Sequence, residues 1–90
     1  MSKSILKVSI RQVKAARALL GWSQQVLAEA SGISLPTVKR LEAATSPDFG
    51  GRASTILKLV EALEHGGVVF IAANGGGSGV RLKSESQASD

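Results

Sequence analysis

One stretch limits what this chain can fold into more than any other: residues 24–43, QQVLAEASGISLPTVKRLEA. It reads as two short helices around a single glycine. Ser23 is placed to cap the first, because a serine hydroxyl can accept from an otherwise unpartnered amide of the first helical turn. Gln24 to Ala30 form that helix. Gly32 supplies the left-handed backbone position at which the chain reverses without a Cβ penalty. Ser34 caps the second helix, and Pro36 falls in its first turn, where a missing amide costs little. Val26, Leu27, Ile33, Val38 and Leu41 are spaced to meet inside the corner, and Ala28 is small where the two helices cross.

Two helices at such a corner make a helix-turn-helix, a motif whose second helix can enter a DNA major groove. The chain has 90 residues, enough for one small domain with a modest core. Trp22, Phe49 and Phe70 are its only aromatic residues, so Leu, Val, Ile and Ala must fill that core. There is no cysteine, which excludes disulfides and thiolate metal sites. His65 is the single histidine and cannot hold a metal alone, so neither a metal nor a cofactor is expected. No apolar run approaches the roughly 20 residues of a membrane span. Met1 to Val8 lacks the long apolar segment of a secretory signal. The expected location is therefore the cytoplasm, with no membrane partner.

Charge is distributed unevenly. Residues 1–40 carry Lys3, Lys7, Arg11, Lys14, Arg17, Lys39 and Arg40 against Glu29, a net of +6. Residues 41–90 carry Arg52, Lys58, Arg81 and Lys83 against Glu42, Asp48, Glu61, Glu64, Glu85 and Asp90, a net of −2. The basic half holds the two-helix corner, a coincidence that suits a polyanionic partner.

Residues 1–8, with Ile5, Leu6 and Val8 among basic residues, form an N-terminal arm or a short edge strand. The main domain is expected over residues 9–66. Its first helix runs from Ser9 to Leu20, opened by a capping box of Ser9 and Gln12. Ile10, Val13, Ala16 or Arg17, and Leu20 follow helical spacing on its inner face. Gly21 ends it, and Trp22 folds back on its last turn. Ala44 to Ala53 is a loop punctuated by Pro47, Gly50 and Gly51, with Phe49 a packing residue and Arg52 in reach of a phosphate. A further helix spans Ser54 to His65, capped by Ser54, with Ile56, Leu57, Val60 and Leu63 inward and Lys58, Glu61 and Glu64 outward. Gly66 and Gly67 stop it. Residues 67–83 then form a C-terminal β extension: VVFIA and VRLK flank NGGGSG as a hairpin. A two-stranded hairpin is marginal alone, so it needs the N-terminal segment, the helices or a second subunit against it, and dimerisation is the expected role. Residues 84–90 are polar and expected to be disordered.

With these residues in place, the chain resembles the XRE-type, lambda-repressor-like family of small bacterial and phage DNA-binding regulators. The resemblance is clearest over Ile10 to Leu63. It is most specific in WSQQVLAEASGISLPTVKRLE, where Gln24, Leu27, Ala28, Gly32, Val38, Leu41 and Glu42 fall at the family's positions. It implies a mainly α fold, a compact bundle of four or five helices, here with a β-hairpin or strand added at the C-terminus. It also implies roles. Gln24 opens the first helix of the motif, where members contact a phosphate and orient a recognition side chain. Ser34, Leu35, Pro36 and Thr37 open the recognition helix, with Lys39 and Arg40 one turn on. Arg40 matches a base-reading position, and arginine pairs bidentately with guanine. Leu35 and Pro36 depart from the polar residues usual there and can only pack on apolar groups such as thymine methyls. Glu42 has a structural role in the family. Ala43 and Ala44 replace the Asn or Gly that ends the helix in many relatives.

The expected function is a sequence-specific transcriptional regulator, in its simplest form a repressor. It would bind an inverted-repeat operator in double-stranded DNA as a homodimer through residues 34–43. Arg11, Lys14, Arg17 and Arg52 are the further candidates for phosphate contacts. The alternative is a protein-binding module, either an antitoxin covering a toxin or an antiactivator sequestering another regulator, motivated by Leu35, Pro36 and the glycine-looped hairpin. No nucleophile–base pair, metal cluster or complete phosphate loop is present in the sequence, so no enzymatic activity is expected.

Overall fold

The computed structural model describes residues 8–43, 53–73 and 75–84. Four helices, α1 (Ile10–Leu20), α2 (Gln24–Ser31), α3 (Leu35–Glu42) and α4 (Ala53–Gly66), precede two strands, β1 (Val68–Ile71) and β2 (Gly79–Leu82). The architecture is the expected helical bundle with a C-terminal hairpin. The N-terminal arm up to Lys7, the loop residues through Arg52, Asn74 and the tail from Glu85 lie outside the described residues.

Local chemistry explains most helix boundaries. Ser9 Oγ accepts from the Gln12 amide at 3.3 Å while Gln12 Oε1 accepts from the Ser9 amide at 3.0 Å, a closed capping box. Gly21 ends α1 at φ 70°. The Trp22 amide reaches Arg17 O at 2.9 Å and the Gly21 amide reaches Ala18 O at 3.1 Å, the paired bonds of a Schellman stop. Ser23 caps α2 by accepting from the Val26 amide at 3.1 Å. Gly32, at φ 76°, closes α2 with a 2.9 Å bond to Ala28 O. Ser34 caps α3, with Pro36 in its first turn, and α3 ends at Ala43 in right-handed helical geometry without a glycine.

The core gathers Val13, Leu27, Val38, Leu59, Val60, Leu63 and Val68, all fully buried, from every helix and from β1. Helix α4 lies against α1 and α2, and the hairpin lies against α1 and α4. Two expectations from spacing and one from capping are corrected here. Val26 is 39% exposed, so the corner closes on Leu27, Val38 and Leu41 with Ile33 half-buried. On α4 the inward residue is Leu59, 1% exposed, and Leu57 faces out at 37%. Helix α4 begins at Ala53, so Ser54 sits inside its first turn and does not cap it. On α1, Ala16 and not Arg17 takes the inward position, at 0% exposure. Trp22 packs against the end of α4: a Cβ built on Gly66 would stand 2.7 Å from Trp22 Cζ2, so only glycine allows this approach.

The hairpin is antiparallel, pairing Val68 with Leu82, Val69 with Arg81, Phe70 with Val80 and Ile71 with Gly79. Its partner within the chain is the helical layer. Val68 is buried, and Phe70, Val80 and Leu82 pack on the core. Gln12 Nε2 donates to Ile71 O at 3.3 Å and to Gly79 O at 3.1 Å. One side chain, 5% exposed, thus caps α1 and fastens the loop end of the hairpin to it.

Candidate nucleic-acid interface

The seat of α3 is built before its surface. Val38, Leu41 and Glu42 are buried, and Leu35 is half-buried against the core. Glu42 is a carboxylate 6% exposed, which costs free energy unless it is paired and hydrogen-bonded. It is both. Arg17 donates from Nε to Glu42 Oε2 at 2.9 Å and from Nη2 to Oε1 at 2.7 Å, a bidentate fork. Gln24 Nε2 donates to Glu42 Oε1 at 2.9 Å. Arg17 Nη1 also donates to Trp22 O at 2.9 Å. One carboxylate therefore locks the end of α3 to the last turn of α1, the start of α2 and, through Arg17, the connection between them.

This network redistributes the candidates. Arg17 uses three of its five N–H donors on Glu42 and Trp22, and its side chain is 20% exposed, so its first role in the structure is to hold α3. Gln24 is half-buried with its amide nitrogen on Glu42, so it orients α3 and has its carbonyl oxygen left over. Leu35 turns inward, which accounts for an apolar residue at that position. Burial explains it without a thymine contact.

The outward face of α3 carries Pro36, Lys39, Arg40 and Ala43, all exposed and recurring at helical spacing. Ser34 and Thr37 stand at its start. Ser34 Oγ accepts from the Thr37 amide at 3.3 Å and donates to Thr37 Oγ1 at 2.9 Å. That arrangement occupies the Ser34 hydrogen and leaves the Thr37 hydroxyl hydrogen free to donate. Arg11 and Lys14 are exposed on α1, and among the described residues no acidic side chain pairs with them or with Lys39 and Arg40. Arg52 lies outside the described residues. The surface can offer two cations, a hydroxyl donor and one apolar ring from a short helix held rigidly from behind.

Sequence reading assigned Gln12 to the cap alone and Arg17 to phosphate. Both hold parts of the chain distant in sequence, and nothing local marks that role. The signal for Arg17 was the acidic residue at position 42, the single acid on α3. A family model described as helix-turn-helix matches residues 13–64, more than half of the chain, from α1 through α4. No curated protein matches the chain. No described helix is long and apolar enough to cross a membrane.

Proposed function

Because the chain belongs to the XRE-type helix-turn-helix family of DNA-binding regulators, we propose that it acts in the cytoplasm as a sequence-specific repressor. It reads an inverted-repeat operator as a homodimer, through the exposed face of α3. The observation that carries this reading is the division of α3. Glu42, Val38, Leu41 and Leu35 fix the helix to the bundle, while Lys39, Arg40 and the Thr37 hydroxyl face outward. A rigid, cationic helix face is what direct readout of base edges and phosphates requires. Arg40 reads a base, and guanine suits it best. Thr37 and Lys39 bind phosphate or a base acceptor, Pro36 packs on an apolar group, and Arg11 and Lys14 add backbone contacts from α1. Occlusion of a promoter is the simplest consequence of such binding.

Selection from a random duplex pool tests this reading. The recovered sites should be inverted repeats with half-sites roughly one helical turn, about 34 Å, apart, and affinity should fall steeply with salt. A pool that enriches no duplex, together with a stoichiometric protein partner recovered from cells, would favour the antitoxin or antiactivator role instead.

A further inference from the structure

Between the C-terminal end of α2 and one side of α4 the bundle leaves a groove of about 330 Å³. That volume lies at the small end of the range for small-molecule sites, roughly 300–1,000 Å³. Small residues make the space: Ala30 on α2, and Ala62 and Gly66 on α4, line it together with Trp22. The indole stands so close to α4 that a Cβ on Gly66 would meet its Cζ2 at 2.7 Å and its Cη2 at 2.9 Å, a contact that fixes the ring. Trp22 nonetheless stays half-buried. Its Nε1–H has no acceptor among the described residues, although an indole N–H ordinarily finds one when buried.

The rim is charged. Lys58, Glu61 and His65 also line the groove, all exposed and on one stripe of α4 at i, i+3 and i+7. Lys58 and Glu61 are one turn apart and opposite in charge, yet among the described residues the one salt bridge is Arg17–Glu42. Both charges therefore stand unpaired over an apolar floor. Ser31 completes the lining but is already satisfied, since its hydroxyl donates to Ala28 O and accepts from the Ile33 amide, each at 3.3 Å. None of Pro36, Thr37, Lys39 and Arg40 lines this groove, so it is separate from the face proposed for DNA and stands or falls apart from that reading.

We propose that the groove binds a small α-amino acid with a flat side chain, its ring on Trp22, its carboxylate at Lys58 and its ammonium at Glu61. One cation and one carboxylate whose Cβ atoms lie about 5–6 Å apart on a helix face match the two charges of a zwitterion. A ligand with a single charge meets one of them as a like charge. The indole offers a flat apolar face for offset stacking, and the small residues beside it leave room for a ring. The open indole N–H adds a donor that no described group of the protein uses.

Trp22 is the single tryptophan, so one indole N–H resonance of the ¹⁵N-labelled chain reports on the groove. Unlabelled L-phenylalanine, L-tyrosine, L-tryptophan and L-histidine are the probes. At least one should shift that resonance and the amides of Ala30 and Ala62 with a Kd of about 1 mM or tighter, the range open to a ligand of about a dozen non-hydrogen atoms. The same ring without its ammonium or without its carboxylate (for phenylalanine, 3-phenylpropionate and phenethylamine) should bind about fivefold more weakly, and so should L-amino acid to Lys58→Met and to Glu61→Gln. Ala30→Leu changes an exposed helical position to another good helix former; it should fill the groove and abolish the shift with helical circular dichroism unchanged. An indole resonance that no probe moves at about tenfold above that concentration overturns the proposal. Single-charge analogues that bind as tightly as the amino acid contradict the zwitterion assignment. Binding that survives Ala30→Leu and both rim variants places the ligand elsewhere and overturns the groove.

Discussion

Replacing Glu42 by glutamine keeps the side-chain shape and removes the charge. In the wild type both carboxylate oxygens face donors: Oε2 faces Arg17 Nε, and Oε1 faces Arg17 Nη2 and Gln24 Nε2. A glutamine must turn an N–H₂ toward one of them and leaves the guanidinium without its counter-charge. Breaking a fully buried ion pair in this way costs about 3–5 kcal/mol. The Glu42 side chain is 4% exposed but that of Arg17 is 20% exposed, so water recovers part of the loss. The expected destabilisation is about 2–3 kcal/mol. For a domain of this size that corresponds to a fall in Tm of roughly 10–20 °C. Urea unfolding read by the fluorescence of Trp22 measures it, with a probe whose own carbonyl is bonded to Arg17 at 2.9 Å. The double variant Arg17→Met, Glu42→Leu should recover much of the loss, because an apolar pair replaces an ionic one without leaving an orphan charge. A Glu42→Gln change of less than about 0.5 kcal/mol, or a double variant worse than the sum of its singles, would refute the view that this carboxylate seats α3.

Three further outcomes follow from the same geometry. Arg17→Met should leave the slope of log affinity against log salt unchanged, while Lys39→Ala should lower it by about one, as loss of a phosphate contact does; a reduced slope for Arg17→Met would return that residue to the DNA surface. Gln12→Leu should cost about 1–3 kcal/mol through the orphaned Ser9 amide and hairpin carbonyls, and hydrogen exchange should show faster opening of β1 and β2; unchanged exchange there would deny Gln12 its hold on the hairpin. Gly66→Ala should destabilise by about 1–2 kcal/mol and shift Trp22 emission, although alanine ordinarily stabilises a helix, because its Cβ would meet Trp22 Cζ2 at 2.7 Å and Leu20 Cδ1 at 2.9 Å; a more stable variant with unchanged emission contradicts that contact.

The parts of this fold that were legible in the sequence are those decided within four residues. Ser9, Ser23 and Ser34 cap their helices and Gly21 and Gly32 end two of them because a hydroxyl three residues before an amide, or a backbone free of Cβ, suffices locally. The hairpin was legible for the same reason, from β-branched runs around glycines. Choices between adjacent positions were not. Leu57 and Leu59 are equally apolar, and Leu59 is the one that shares a helical face with Ile56, Val60 and Leu63 at i, i+3, i+4 and i+7, the face that packs on α1 and α2. Val26 stands at 39% exposure because the face of α2 that turns to the core is the one carrying Leu27 and Ala28. The Arg17–Glu42 fork was not legible, because an arginine on a basic helix looks the same whether its partner is solvent or a carboxylate 25 residues on. Leu35 read as a departure from a polar reading position, and its burial against the core accounts for it.

The central claim is that α3, seated by Glu42, presents Arg40 to a base. The most direct test compares binding of wild type and Arg40→Ala to the selected operator and to a scrambled duplex, by fluorescence anisotropy at one fixed salt concentration. Loss of a bidentate base contact predicts a drop in operator affinity of about 5- to 150-fold, equivalent to about 1–3 kcal/mol. Binding to the scrambled duplex should change far less. Equal losses on both duplexes, or no loss on the operator, would contradict the account.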